Sequence, residues 1–327
     1  MARLLEGKVA VVTGGGRGIG RAVCLALAKH GAKVVVNDPG VAVDGTGFSQ
    51  APAQEVVDLI RAQGGQAVPN FDTVATMQGG ENIIKTALNT YGTIDILVTC
   101  AGILRDRMIF NMTEEEWDAV IATHLKGTFT VVKPASIVMR QKRYGRIITF
   151  SSVSGLWGNS GQANYGAAKD GIAGFTRVIA RDLGRYGVTC NVISPGAETR
   201  MTQTVPESAR QLRAQRGIVS SSTVVPRTFP RPPEAVAEVV VWLASDEAAH
   251  VNGQIFHVAG NIVGLMNNPA VVKELRRPGG GRWTVEEIAA LFPQALGMDL
   301  VNPAPPQPPP QPAGQPAPTA QAPAPAS

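Results

Sequence analysis

The stretch Thr13-Gly14-Gly15-Gly16-Arg17-Gly18-Ile19-Gly20 decides how this chain folds. An apolar run at 8–12 precedes it, and an amphipathic stretch at 19–30 follows it. Glycines between a strand and a helix permit a tight turn, bring backbone N–H groups close to a pyrophosphate and let the helix pack closely on the strand. We therefore predict a dinucleotide-binding loop whose cofactor contacts come from Gly14, Arg17, Gly18, Ile19 and Gly20.

Outward from this loop, apolar runs and helical stretches keep alternating up to about residue 262. This alternation is typical of a doubly wound sheet. We predict an α/β protein with a single Rossmann domain over residues 1–262 and a parallel seven-stranded sheet. The predicted strands are 8–12, 33–37, 67–71, 94–98, 146–150, 188–192 and 254–258. The predicted crossover helices are 19–30, 52–63, 80–91, 114–124, 164–184 and 233–244.

Residues 263–302 depart from this alternation and form a predicted C-terminal extension. Thr284 followed by Glu287 is a capping-box pattern, which predicts one short helix there. Residues 303–327 consist mostly of Pro, Ala, Gln and Gly and cannot bury enough apolar surface to offset their ordering entropy. We expect this segment to be a disordered, partly polyproline tail.

Composition narrows the classes of function. A chain of 327 residues with 44% hydrophobic residues and 36 glycines suits an α/β enzyme. The formal net charge is +5, but the basic residues are scattered, which argues against nucleic acid as a partner. Cys24, Cys100 and Cys190 are odd in number and lack metal-ligand spacing, so we expect neither a disulfide framework nor a metal site.

The start of the chain and its hydropathy bear on location. The first predicted strand begins at residue 8, which leaves no room for a signal peptide before it. No apolar stretch approaches the ~20 residues that span a bilayer. We expect a cytoplasmic protein that does not enter a membrane.

Two carboxylates close predicted strands beside the glycine loop. Asp38 ends the second strand, where a carboxylate can accept hydrogen bonds from the adenosine ribose and would repel a 2′-phosphate. This favours NAD over NADP, although Arg17 in the loop could favour the phosphate. Asp72 follows the third strand and is a candidate for contact with the adenine, with a simple helix N-cap as the alternative.

Tyr165 and Lys169 are four residues apart on a predicted helix, so they share one face. A nearby ammonium favours the tyrosinate and moves a phenol pKa of about 10 toward the working range of an acid/base catalyst. Ser152 lies just after the strand 146–150, on the loop that leads into this helix. From there it can reach a substrate oxygen at the carboxyl edge of the sheet.

Over roughly residues 5–262 the chain resembles the short-chain dehydrogenase/reductase family. The glycine loop, Ser152, the Tyr165 and Lys169 pair and the Pro195-Gly196 turn match the motifs of that family. The resemblance implies that Tyr165 transfers a proton, that Ser152 positions the carbonyl and that a hydride passes to or from the nicotinamide. It also implies that Tyr165, Lys169, Pro195 and Gly196 contact the cofactor, with Lys169 on the nicotinamide ribose.

The chain departs from the family pattern in two places. The family's Asn-Asn-Ala-Gly is Thr99-Cys100-Ala101-Gly102 here, which keeps the small Ala101 and Gly102 that let the cofactor approach. The family's helix asparagine, which holds a proton-relay water, falls at His124. A histidine can also hold a water, so His124 is a candidate catalytic residue, with a satisfied structural histidine as the alternative.

Further segments resemble the (3R)-hydroxyacyl-CoA dehydrogenase subgroup, which includes part of the peroxisomal multifunctional β-oxidation enzyme and carries a histidine at the position of His124. The matching segments are 34–38 with the long loop 39–51, then 102–107, 144–146, 161–165 and 200–204. The resemblance implies reversible oxidation of a (3R)-hydroxyacyl-CoA with NAD. Three alternatives stay open: a dehydrogenase of steroid or other cyclic alcohols, a 3-oxoacyl-carrier-protein reductase, and a catalytically silent partner subunit.

The segment 197–232 after the Pro-Gly turn predicts a mobile lid over the substrate. Its arginines could meet CoA phosphates or be ordinary solvated charges: Arg200, Arg210, Arg213, Arg216, Arg227 and Arg231. Members of the family pair their long helices, so the stretches 114–124 and 164–184 predict a homodimer or a homotetramer.

Overall fold

The structure is a computed structural model that describes residues 3–198 and 229–304. Eight strands form one sheet in the order β3-β2-β1-β4-β5-β6-β7-β8. Their bounds are β1 Val9–Thr13, β2 Lys33–Asn37, β3 Gln66–Asn70, β4 Ile96–Thr99, β5 Gly145–Phe150, β6 Val188–Pro195, β7 Ile255–Ala259 and β8 Ile262–Met266. The first seven strands pair in parallel, which confirms the predicted doubly wound fold.

Helices cover both faces of the sheet. The helices of the described residues are α1 Gly18–Lys29, α2 Ala51–Ala62, α3 Met77–Tyr91, α4 Glu114–Ile121, α5 Gly127–Lys142, α6 Val153–Leu156, α7 Ala163–Gly184, α8 Pro233–Ala244 and, further along the chain than β8, α9 Val285–Leu291. Helices α1, α2 and α8 pack on one face through residues such as Leu27 and Val240, whereas α3, α5 and α7 pack on the other through residues such as Ile83 and Leu183. Because both faces are covered, the central strands are apolar throughout.

The strand order reverses beside β1, which pairs with β2 on one side and with β4 on the other. In an open α/β sheet, ligands bind in the crevice outside the carboxyl ends of the strands at such a reversal. The glycine loop follows β1 directly, so the fold places it at this crevice.

The sheet has one strand more than predicted. Strand β8 runs antiparallel to β7, and Ala259 pairs with Ile262 across a two-residue turn at Gly260 and Asn261. Gly260 has a φ of +58°, which a two-residue hairpin turn requires. The seven-strand prediction is therefore corrected to seven parallel strands and one antiparallel edge strand, which begins at the predicted domain boundary at residue 262.

Two helical features also differ from the prediction. Helix α5 was not predicted, and it contains Pro134, a residue that normally disfavours a helix interior. The helix predicted at 114–124 ends at Ile121 and continues as a π turn at Ala122–Lys126, which contains His124. Such π turns insert one extra residue into a helix and often lie at functional sites.

Contacts within the chain define two compact units. The first contains the sheet, and its described part is 3–198 with 229–272. The described part of the second is 273–304, where Thr284 and Glu287 form the capping box of α9 and Glu287 also pairs with Arg277 at 3.1 Å. The predicted division at 262 and 303 stays a prediction, and nearly all of the predicted tail lies outside the described residues.

Within the described ranges, no helix combines the length and the apolar character needed to cross a membrane. The same residues contain no group of three or more His, Cys, Asp or Glu side chains arranged to hold a metal ion.

Candidate active site

A cavity of about 420 Å³ opens at the carboxyl ends of the strands where their order reverses. Most of the predicted site residues line it: Gly14, Arg17, Gly18, Ile19, Gly20, Asp38, Ala101, Gly102, His124, Tyr165, Lys169 and Pro195. Ser152, Asp72 and Gly196 are not part of its lining. One cavity thus brings the glycine loop and the Tyr165 and Lys169 pair together.

The glycine loop is built for close backbone approach. Gly14 has a φ of +65°, and a Cβ on it would lie 2.8 Å from the backbone of Ala101. A Cβ on Gly20 would lie 2.0 Å from the backbone carbonyl oxygen of Gly14, so the start of α1 packs on the loop only because residue 20 is glycine.

Helix α1 begins at Gly18 beside the cavity, and no side chain of the described residues caps its first turn. Its first N–H groups and the positive end of the helix dipole therefore suit a phosphate group. Arg17 lines the cavity and donates to the carbonyl oxygen of Val41 at 3.0 Å. The cradle fits the pyrophosphate of a dinucleotide.

Asp38 is held in place by the backbone around it. Its Oδ2 accepts from the N–H of Gly16 at 2.9 Å, and its Oδ1 accepts from the N–H of Gly40 at 2.7 Å. The side chain is almost buried and lines the cavity at the end of β2. A fixed carboxylate beside the glycine loop fits the ribose hydroxyls of an adenosine.

Asp72 lies outside the cavity lining, and so do the partners of its carboxylate. Its two oxygens accept from the side-chain amides of Asn70 and Asn82, each at 2.9 Å. The N-cap of α3 is Thr76, so Asp72 is not a helix cap either. The next residues, Thr73, Val74 and Ala75, line the cavity in its place.

Tyr165 lies in the first turn of α7 and faces the cavity. Burial raises the pKa of its phenol to about 12, a hydrogen bond with Ser152 lowers this pKa, and the charge of Asp106 raises it. We expected Lys169 to lower the pKa of this phenol, but in the protein without a cofactor the pKa is raised. Burial outweighs the other influences on the phenol.

Ser152 is the N-cap of the short helix α6, and its Oγ accepts from the N–H of Ser154 at 3.1 Å. This bond fixes the oxygen while leaving its proton available to Tyr165. Although Ser152 does not line the cavity, its hydrogen bond to Tyr165 joins it to the site.

Lys169 is buried, and its ammonium donates to the carbonyl oxygen of Phe150 at 2.8 Å. The ammonium lies 5.6 Å from the centroid of the Tyr165 ring. Burial lowers the pKa of Lys169 to about 8, against a smaller opposing effect of Cys100. A lysine that is costly to charge when buried is poised to bind a polar group of a ligand.

His124 is buried in the π turn and lines the cavity. Its Nε2 lies 2.8 Å from the carbonyl oxygen of Ile103 and 3.1 Å from the backbone nitrogen of the same residue. Its Nδ1 is buried and has no hydrogen-bond partner among the described residues. Burial lowers the pKa of His124 to about 3, helped by the charge of Lys169, so the ring is neutral.

Two residues of the segment that follows β4, Cys100 and Gly102, have structural roles. A Cβ on Gly102 would lie 2.3 Å from Cε1 of His124, so this glycine is required by the histidine ring. Cys100 lines the cavity, and burial raises the pKa of its thiol to about 12. The thiol stays protonated, as expected for a packing residue.

The Pro-Gly turn lies at the end of β6. Pro195 lines the cavity, and the N–H of Gly196 donates to the carbonyl oxygen of Val258 at 2.8 Å. A Cβ on Gly196 would lie 2.7 Å from that of Ala259, so Gly196 serves the packing of β6 on β7.

Most of the predicted lid lies outside the described residues, including five of its arginines: Arg200, Arg210, Arg213, Arg216 and Arg227. The sixth, Arg231, is almost buried, with its guanidinium 5.3 Å from the ring of Phe229 and its carbonyl accepting from the N–H of Glu198.

The sequence did not single out the part of the cavity wall that comes from the loop between β2 and α2. Val41, Ala42, Val43 and Gly45 line the cavity, and the carbonyl of Val43 accepts from the N–H of Leu104 at 2.8 Å. The length of this loop and its glycines were the available signal.

Comparisons with known proteins agree with this geometry. The family model of the short chain dehydrogenases matches residues 8–210. A crystal structure of a short chain dehydrogenase from Mycobacterium avium is 41% identical, with a TM-score of 0.74 over 90% of this chain and 96% of that one.

Three relatives have names that bear on function. Hydroxyacyl-CoA dehydrogenase ChsB1 of Mycobacterium tuberculosis is 42% identical over 88% of this chain and 87% of that protein. Peroxisomal multifunctional enzyme type 2 of Mus musculus is 42% identical over 80% of this chain but only 33% of that enzyme. The 3-oxoacyl-[acyl-carrier-protein] reductase FabG of Escherichia coli is 40% identical over 79% of this chain and 98% of that protein.

Proposed function

Because this chain belongs to the short-chain dehydrogenase family, we propose that it is an NAD-dependent enzyme that reversibly oxidises a (3R)-hydroxyacyl-CoA to the 3-oxoacyl-CoA. The observation that carries the proposal is the single cavity lined by the glycine loop, Asp38, Tyr165 and Lys169. This lining supports a proton-transfer role for Tyr165 beside a cradle for a dinucleotide.

The chain's own residues supply the proton chemistry. Ser152 donates to the phenolic oxygen of Tyr165 and orients the substrate oxygen next to it. In oxidation Tyr165 accepts the hydroxyl proton, and in reduction it returns that proton to the carbonyl oxygen. An oxidised nicotinamide bound in this cavity would supply the acceptor for the hydride of the carbinol carbon and a positive charge that favours the tyrosinate.

Lys169 and the glycine loop hold the cofactor. The ammonium of Lys169 would hold the ribose next to the nicotinamide, and the N–H groups at the start of α1 would hold the pyrophosphate. Asp38, whose carboxylate is fixed by two backbone N–H groups, would accept from the adenosine ribose and would exclude a 2′-phosphate because both groups are negatively charged. These contacts support NAD as the cofactor.

The acyl-CoA substrate is supported by the relatives. Two of them carry hydroxyacyl-CoA dehydrogenase or peroxisomal multifunctional enzyme in their names, and the chain spans nearly the whole of the first but a third of the second. We propose only a dehydrogenase activity for this chain. Turnover of a panel of (3R)- and (3S)-hydroxyacyl-CoA, steroid alcohols and 3-oxoacyl-carrier protein, each with NAD and NADP, tests it.

The panel separates the competing functions. Preference for NAD and a (3R)-hydroxyacyl-CoA supports the proposal. Preference for NADPH and the carrier-protein substrate would favour a reductase like FabG, whose whole length the chain covers. Cofactor binding without turnover of any alcohol would identify a silent partner subunit.

The proposed assembly is a cytoplasmic homodimer or homotetramer formed through α4 and α7. Trp117 on α4 and Val178 on α7 are large apolar side chains that are 37% and 58% exposed in the single chain. Burying them against a second copy would stabilise the pair. Light scattering of the purified protein measures the number of subunits.

A further inference from the structure

Asn164 is fully buried, and both polar atoms of its side-chain amide form hydrogen bonds with backbone groups. Its Nδ2 donates to the carbonyl oxygens of Arg105 at 2.9 Å and of Glu116 at 3.0 Å. Its Oδ1 accepts from the N–H of Tyr165 at 2.7 Å. One side chain thus joins three segments of the chain.

Both donor bonds of Asn164 end on segments that hold His124. Glu116 lies in the first half of α4, which continues directly into the π turn that contains His124. Arg105 is two residues beyond Ile103, whose backbone contacts Nε2 of the His124 ring. The position of the His124 ring therefore depends on the two segments that Asn164 ties down.

The acceptor bond of Asn164 serves the other ring. Helix α7 starts at Ala163, and its N-cap residue Gln162 makes no side-chain capping bond. The Oδ1 of Asn164 takes the place of a cap by binding the N–H of Tyr165. The side chain of Asn164 therefore fixes both the backbone of Tyr165 and the segments around His124.

We propose that Asn164 is a positioning residue that sets the placement of Tyr165 relative to His124, and thereby the rate of proton transfer. The inference rests on the proposed function, because it concerns the proton that Tyr165 exchanges with an alcohol. The two rings are in edge-to-face contact, so a shift of either helix changes the direction of the phenolic oxygen. A displacement of about 1 Å can lower a rate about 100-fold.

Three variants test the proposal. Asn164→Ala removes all three bonds. Asn164→Asp keeps the acceptor for the N–H of Tyr165 but loses both donors and faces two carbonyl oxygens with a carboxylate. We expect each to lower kcat about 10- to 100-fold at saturating NAD, with the Kd of NAD within about twofold of wild type. Asn164→Gln has the same amide on a side chain that is one methylene longer. It should fold even if the other two variants do not, and its kcat should fall less than theirs.

A matched control is Asn191→Ala. Asn191 is also buried, bridges β6 to the loop at Val251 and Gln254, and does not line the cavity. This control and Asn164→Ala should lower the melting temperature by similar amounts, but only the Asn164 variants should lose kcat. Their solvent deuterium isotope effect on kcat should also rise, because proton transfer becomes slower.

The outcomes separate two failures. If wild type turns over no alcohol, the proposed function fails. If wild type is active and Asn164→Ala or Asn164→Asp keeps its kcat and isotope effect, or if Asn191→Ala loses as much kcat, the positioning role of Asn164 is overturned.

Discussion

The ring of His124 stands edge-on to the ring of Tyr165, with centroids 5.1 Å apart and planes at 89°. The ring of Tyr165 thus covers one side of the buried His124 ring. Burial lowers the pKa of His124 to about 3. The histidine is therefore a neutral hydrogen-bonding group, with Nδ1 as the nitrogen left for a water or a ligand.

The burial of His124 predicts that the free energy of unfolding depends on pH. Between pH 6.5 and about 3, unfolded His124 binds a proton that folded His124 does not, so stability is lost as the pH falls through this window. In His124→Asn the group is absent. Wild type should lose up to about 1.4 kcal/mol per pH unit more than this variant. Urea unfolding at pH 7, 6 and 5 measures the difference.

The control for this prediction is His250→Asn, which replaces an exposed histidine. Its stability should follow that of wild type at each pH. Equal pH slopes for wild type and His124→Asn would show that His124 is charged in the folded protein.

Tyr165→Phe should remove turnover without removing the fold. Loss of a general acid or base costs roughly 100- to 10,000-fold in rate, whereas the ring and its contact with His124 remain. The affinity for NAD, read by fluorescence titration, should stay close to that of wild type. Tyr186→Phe, outside the cavity, is the matched control and should be fully active. Activity retained by Tyr165→Phe would contradict the mechanism.

Lys169→Met should stabilise the cofactor-free protein at pH 7 while abolishing turnover. The pKa of Lys169 falls from 10.5 to about 8, so charging it at pH 7 opposes folding, and this cost fades as the pH rises from 8 to 10.5. The lost bond to Phe150 offsets part of the gain. We expect a net gain of roughly 1 to 2 kcal/mol at pH 7, measured by urea unfolding.

The exposed Lys133 offers the comparison, since Lys133→Met changes the charge of α5 by the same amount on the surface. It should alter neither stability nor rate appreciably. A destabilised Lys169→Met protein would mean that the ammonium is well satisfied in the folded state.

Asp38→Asn should shift cofactor preference toward NADP. The amide keeps one acceptor for the backbone around it but removes the charge that repels a 2′-phosphate. The ratio of kcat/KM for NAD to that for NADP should fall at least about tenfold, the equivalent of roughly 1.4 kcal/mol. Asp72→Asn, whose carboxylate binds Asn70 and Asn82, should leave this ratio unchanged. A response to Asp72→Asn instead would place the adenosine nearer to β3.

The sequence was sufficient for the sheet and most of the cavity because both depend on local patterns. Apolar runs predict buried parallel strands, and the glycine loop needs its residues at fixed positions along the chain. Strand β8 was not predicted, although a Gly-Asn turn between apolar runs is a known signal for a hairpin. Helix α5 was not predicted either, and it contains Pro134, a residue that disfavours a helix interior.

The remaining differences arise from tertiary contacts that no local pattern encodes. Asp72 is turned away from the cavity by two asparagines, one of them ten residues further along the chain. The pKa of Tyr165 depends on burial in the assembled site, which outweighs the effect expected from Lys169. Asn164 was visible only as part of a matching segment, because its partners at Arg105 and Glu116 are 59 and 48 residues away.

The position of His124 depends on the number of residues in the π turn at Ala122–Lys126. A π turn holds one residue more than the α-helix it interrupts. Deleting a single residue from it would let α4 and α5 merge into one regular helix and would rotate His124 out of the cavity. The place of His124 in the cavity wall and the length of the helix are thus coupled, so an insertion or deletion in this helix would remove the histidine from the cavity while leaving the core residues in place.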